Sequence, residues 1–129
     1  RLTADRLVGV LSIAAQQMVE IAKAVSWNAD IVIMDEPTSA LDLYYQQHLL
    51  RLLKKLTRRG KLHVCIVLHD LNLAALWADS ILLLHQGKLV AQGTPQEVIQ
   101  QSVIHRWYGA EIAMCQHPEA AVPQIYLTP

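Results

Sequence analysis

Apolar residues recur at Met18, Ile21, Ala22 and Val25, the i, i+3, i+4, i+7 spacing of one helix face, and predict a helix that opens behind Leu11 and Ser12. Asn28 to Asp30 reads as a turn. Ile31 to Met34 is a continuous apolar run, the pattern of a strand buried on both faces. The helical period returns at Leu49, Leu52, Leu53 and Leu56. Lys54, Lys55, Arg58 and Arg59 gather at that helix's end, where cations complement its dipole, and Gly60 supplies the stop. His63 to Leu68 predicts a second buried strand. Leu71, Ala74, Ala75 and Ala78 mark one face of a short helix, and Ser80 to His85 a third strand that turns through "HQGK" into Leu89 to Gln92 as a hairpin. Thr94 to Glu97 is a capping box with Pro at the first helical position, opening a helix to about Gln101. Ser102 is placed to cap another short helix ending at Tyr108, and two strand-like runs flank "HPEAAVP" in the tail.

Strands separated by helices imply an α/β fold with a mostly parallel core sheet. Ligands of such sheets sit beyond the carboxyl ends of the strands. Asp35, Glu36, His69 and Asp70 all fall at predicted strand ends. Adjacent carboxylates raise each other's cost of ionising, so the pair invites a cation. Mg²⁺ with a phosphate chain fits: one Asp can hold the metal, an adjacent Glu can take a proton from water, and a His on the neighbouring strand end can meet the terminal phosphate. A lone acid pair after an apolar run ordinarily caps the next helix, and Asp70 reads as such an N-cap. In the string "IVIMDEPTSALD", Pro37 ends the strand while Ser39 and Asp42 are turn or cap residues.

Composition narrows the field. The chain has 129 residues, 53% hydrophobic and 17% charged, with a formal net charge of zero. It can bury a core, and its balanced charge offers no electrostatic footprint for nucleic acid and argues against a polybasic membrane anchor. The apolar stretch from Leu62 to Leu84 is broken by His63, His69, Asp70, Asn72 and Asp79, too many polar groups for a membrane helix. Cys65 and Cys115 show no ligand spacing; Cys65, inside an apolar run, is expected as a buried thiol in a reducing compartment. Trp27, Trp77 and Trp107 are expected as packing residues, and the histidines other than His69 as ordinary ones.

"IVIMDE", "SALD", "VLHDLN" and "LSIAAQQMVEIAKAV" together resemble the Walker B strand, D-loop, switch-histidine segment and signature helix of the ATP-binding subunit of ABC transporters, in the usual order. The resemblance implies the carboxyl-terminal half of a P-loop NTPase-like ABC ATPase domain over 1–110, with a strand–turn tail over 111–129. It implies ATP and Mg²⁺ as cofactors. Asp35 would hold Mg²⁺ through water, and Glu36 would act as general base. His69 would contact the γ-phosphate, Asp42 would act across a dimer, and Ser12 would bind the nucleotide of the opposite subunit. The implied partners are a transmembrane permease, a second nucleotide-binding subunit and, indirectly, a periplasmic or surface binding protein, with no nucleic acid. The implied place is the cytoplasmic face of the membrane, peripherally.

The common LSGGQ reads here Leu11-Ser12-Ile13-Ala14-Ala15, with Gln16 one place late. Residues 16–42 look like ribose-type sugar importers; from His69 onward, through Tyr108-Gly109 and the tail, the chain resembles iron-siderophore, haem and cobalamin importers. That points to uptake of a metal chelate, with a sugar importer as the alternative. No GxxxxGK(S/T) phosphate-binding loop occurs in the sequence. The isolated chain is therefore expected to be inactive, and the other alternative is a non-catalytic half-domain. An exposed sheet face or edge is expected where a first half would pack. An ABC-type ATPase of DNA repair or translation is disfavoured by the neutral charge and the importer-like tail.

Overall fold

A computed structural model describes residues 13–60 and 62–129. Leu11 and Ser12, the start of the signature-like segment, lie outside the described residues. The chain forms two compact units, one ending at Leu68 and one beginning at His69. The tail, residues 111–129, belongs to the second unit.

In the first unit, α1 (Ile13–Ser26) leads into β1 (Ile31–Asp35). The long helix α2 (Leu43–Arg58) then carries the chain back to β2 (His63–Val67), which pairs parallel with β1 from Ile31↔His63 to Asp35↔Val67. Ile21, Met34, Leu49 and Leu53 form the core, with Met18, Val32, Leu52, Leu56, Val64 and Ile66 packed around them. The periodicity of α1 and α2 thus translates directly into contact. Gly60, at φ 74, ends α2 in the left-handed conformation that glycine adopts without a Cβ clash.

The two strands are covered on one face only. Ile31 (65% exposed), Ile33 (74%), Cys65 and Val67 line an open face, whereas Val32, Met34, Val64 and Ile66 turn inward. This corrects the expectation of strands buried on both sides, and with it the expectation of a buried Cys65. It does agree with the expected exposed sheet face. Trp27, 75% exposed, is not a packing residue either.

The second unit begins with α3 (Leu71–Trp77), followed by the antiparallel hairpin β3 (Ile81–His85) and β4 (Lys88–Gly93). Gln86 (φ 49) and Gly87 (φ 74) make its two-residue turn, both in the left-handed region, as a type I′ turn demands. Thr94 and Glu97 form the expected capping box ahead of α4 (Pro95–Val98). The next helix, α5 (Gln101–Tyr108), is preceded by Gln100 with no side-chain cap, so Ser102 lies inside its first turn and does not cap it. A second antiparallel hairpin, β5 (Ile112–Gln116) with β6 (Pro123–Leu127), ends the chain. Ala75, Ile81, Leu83, Val98 and Ile99 make the core, with Trp107 and Ile125 against it. Parallel pairing, expected for most of the sheet, is confined among the described residues to β1–β2. Among these residues no helix is long and apolar enough to cross a membrane.

Asn72 pins the tail. Its Nδ2 donates to the Ile125 carbonyl (3.0 Å) and its Oδ1 accepts from the Ile125 N–H (2.7 Å), as a neighbouring strand would. Gln124 adds a bond from Nε2 to the Asn72 carbonyl (3.3 Å). Asn72→Ala leaves two part-buried backbone groups of Ile125 without partners and is expected to cost about 1–3 kcal/mol. Denaturant midpoints, with hydrogen exchange at the Ile125 amide, measure it.

Candidate functional site

β1 ends at Asp35, and its neighbours decide where the two acids go. The Glu36 N–H donates to the Val67 carbonyl (2.9 Å), extending the parallel ladder one residue beyond the strand. At Glu36 the backbone then turns into the left-handed region, φ 46, which a non-glycine residue occupies only at a cost. Its carbonyl is held by the Ser39 N–H (3.2 Å) and by Ser39 Oγ (3.0 Å). Pro37 and Thr38 are buried beneath this turn. Gln46 donates from Nε2 to the carbonyls of Leu41 (3.0 Å) and Thr38 (3.3 Å), bolting the turn to the first coil of α2. The 36–42 segment is therefore rigid by construction, with both ends tied to regular structure.

The acids themselves are not buried: Asp35 is exposed and Glu36 half-buried. The Asp35 carboxylate has no hydrogen-bond or ion-pair partner among the described residues. Among these residues no group of three His, Cys, Asp or Glu could enclose a metal by itself.

Asp42 caps α2, its carboxylate accepting from the Tyr45 N–H (3.0 Å). The structure thus gives it a role within this chain. Asp70 caps α3, accepting from the N–H groups of Asn72 (2.9 Å) and Leu73 (3.2 Å), as its position suggested. His69 is exposed and immediately precedes that cap, at the start of the second unit. Ser12 lies outside the described residues. The Gln46 clamp and the left-handed turn at Glu36 escaped sequence reasoning. Gln46 carried no local signal, and glutamate is not a residue that announces positive φ.

No protein-family model matches the chain. It is 56% identical over 115 residues to the hemin import ATP-binding protein HmuV of Enterobacter cloacae, an alignment covering 84% of this chain and 44% of that protein. An inward-facing metal-chelate type ABC transporter superposes with a TM-score of 0.81 over 95% of this chain and 49% of its own, at 24% identity, a likeness of fold alone. The dimeric bacterial ABC transporter cassette MJ0796 superposes with a TM-score of 0.58 at 34% identity, over 67% of this chain and 37% of that one. The chain therefore spans less than half the length of these relatives, and its elements are part of a P-loop NTPase fold. Sequence and fold agree: the chain is a partial nucleotide-binding domain of the ABC transporter family.

Proposed function

We propose that this chain is the part of an importer's ATPase subunit that carries the hydrolytic carboxylates, and that the cargo is a metal chelate of the haem type. The observation that carries the reading is the pair at the end of β1: an exposed, unpartnered Asp35 beside a Glu36 fixed in a left-handed turn. Strain at a rigidly held carboxylate is common where the side chain must be aimed. Asp35 would hold Mg²⁺, which when bound would neutralise charge on the phosphate chain and relieve the repulsion between the two acids. Glu36 accepts the proton of the attacking water as its oxygen bonds to the γ-phosphorus of ATP and the bond to the β-phosphate oxygen breaks, releasing ADP and inorganic phosphate. His69 donates to a γ-phosphate oxygen, and Ser12 binds the nucleotide of the opposing subunit. Asp42 holds the start of α2, and its backbone presents the turn to the opposing subunit. The permease and a second ATPase subunit complete the machine at the cytoplasmic face of the membrane. A haem-type cargo is supported by the hemin import relative, and it is favoured over a sugar on that ground.

A second reading holds for the 129 residues alone. They contain no GxxxxGK(S/T) loop to cradle the β- and γ-phosphates, and the β1–β2 face is open. The chain by itself then binds no Mg²⁺-ATP and acts as a non-catalytic half-domain. Two assays test both readings. Equilibrium binding of a fluorescent ATP analogue to the isolated chain is expected to give no signal. In proteoliposomes, the full-length subunit with its permease is expected to show ATP turnover stimulated by a haem-loaded binding protein and unaffected by ribose. Stimulation by ribose would transfer the cargo to sugars. Turnover by the isolated chain would end the half-domain reading.

A further inference from the structure

The outer face of α2 carries a dense run of positive charge. Arg51, Lys54, Lys55, Arg58 and Arg59 place five cations in nine residues, and no acidic residue occurs anywhere from 43 to 69. This local excess is hidden in a chain whose formal net charge is zero, so the overall balance that argued against a polybasic anchor does not describe this helix. Complementing the helix dipole accounts for Lys55 and Arg58 in the last turn, but not for Arg51 a turn earlier. Arg51, Lys55 and Arg58 follow at i, i+4 and i+7 and so share one stripe, opposite Leu49 and Leu53. Arg51, Lys55, Arg58 and Arg59 are exposed, and among the described residues none of them is ion-paired. Toward the helix start the same stripe continues through His48 and the exposed Tyr44, whose rings stack at 5.9 Å. From Tyr44 to Arg58 it runs about 21 Å at the helical rise of 1.5 Å per residue.

We propose that this stripe docks on the anionic lipid headgroups of the membrane beside the permease, an inference that rests on the importer reading above. The charge is complementary, since clusters of four to eight basic residues on an amphipathic helix are drawn to the negative surface of the cytoplasmic leaflet. Tyr44 suits the same boundary, because an aromatic ring with a polar tip settles at headgroup level. Leu49 and Leu53 are committed to the core, so the contact is electrostatic and lies on the surface, without insertion. Each cation near such a surface raises partitioning about fivefold, and salt weakens it within a Debye length.

The test is co-sedimentation of the chain with vesicles of phosphatidylcholine alone and of phosphatidylcholine mixed with phosphatidylglycerol. Binding is expected only to the mixed vesicles, to fall steeply with added salt, and to persist in excess inorganic phosphate. The triple variant R51E/K55E/R58E is expected to lose binding by tenfold or more, while R51K/K55R/R58K, which keeps the charge and any fold, retains it. Equal binding to both vesicle types would assign the attachment to the open β1–β2 face and overturn the proposal. So would unchanged binding by the charge-reversed variant, or displacement by inorganic phosphate or RNA. Vesicle binding does not depend on ATP turnover, so failure here leaves the ATPase reading standing. Failure of the transport assay with vesicle binding intact would instead sink that reading.

Discussion

Glu36→Gln in the full-length subunit is expected to reduce ATP turnover by about 10²–10⁴-fold while ATP binding is retained, the span that removal of a positioned general base ordinarily costs. The amide keeps the size of the side chain and most of its hydrogen-bonding capacity but cannot take the proton. The backbone sharpens the prediction. Glu36 sits at φ 46 with its N–H on Val67 and its carbonyl on Ser39, so the strain is imposed by structure on both sides. Gln inherits that strain unchanged, and the variant should be as stable as the parent. Glu36→Gly relieves it and is expected to gain about 1 kcal/mol of stability, offset in part by the freedom glycine has when unfolded, yet to be as inactive as the amide. Stability that rises as turnover disappears marks a position kept for chemistry. Single-turnover kinetics and denaturant midpoints on the two variants separate the cases. Normal turnover in Glu36→Gln would remove this residue from the mechanism.

The elements that sequence made legible are those with a local cause. Asp42, Asp70 and the Thr94–Glu97 box announced helix starts because a cap satisfies N–H groups only two or three residues away. Gln86-Gly87 announced a hairpin because its turn needs two residues at positive φ. What stayed hidden has a distant cause. The run Ile31 to Met34 has the same pattern whether or not something covers Ile31 and Ile33, so sequence could place the strand but not count its covered faces. Asn72 looked like one more polar residue in a helix, and its partner lies more than fifty residues away at Ile125. Likewise the site was legible as residue types, with Asp35 and Glu36 correctly put at a strand end. Their exposure and the turn that aims them follow from hydrogen bonds to β2 and α2 that no spacing rule encodes.

Leu49→Ala carries the largest expected loss of stability, about 2–5 kcal/mol, because it removes a wholly buried side chain from a core that can collapse only partly around the gap. Leu49 is 0% exposed and belongs to the same buried cluster as Ile21, Met34 and Leu53, a core to which α1, β1 and α2 all contribute. Leu49→Ile, which conserves volume, is expected to cost less than about 1.5 kcal/mol. Leu52→Ala, at a half-buried position on the same helix, should fall below Leu49→Ala. The loss should also reach the site. Gln46, which clamps the 36–42 turn through Thr38 and Leu41, sits one helical turn before Leu49. Loosening α2 at Leu49 therefore loosens the support on which Glu36 is aimed. Leu49→Ala in the full-length subunit should lower turnover at temperatures well below its own unfolding, whereas Asn72→Ala, which acts on the second unit's tail, should lower stability with turnover preserved. Turnover per folded molecule, compared between these two variants, decides whether α2 transmits core packing to the carboxylates or merely spans the unit.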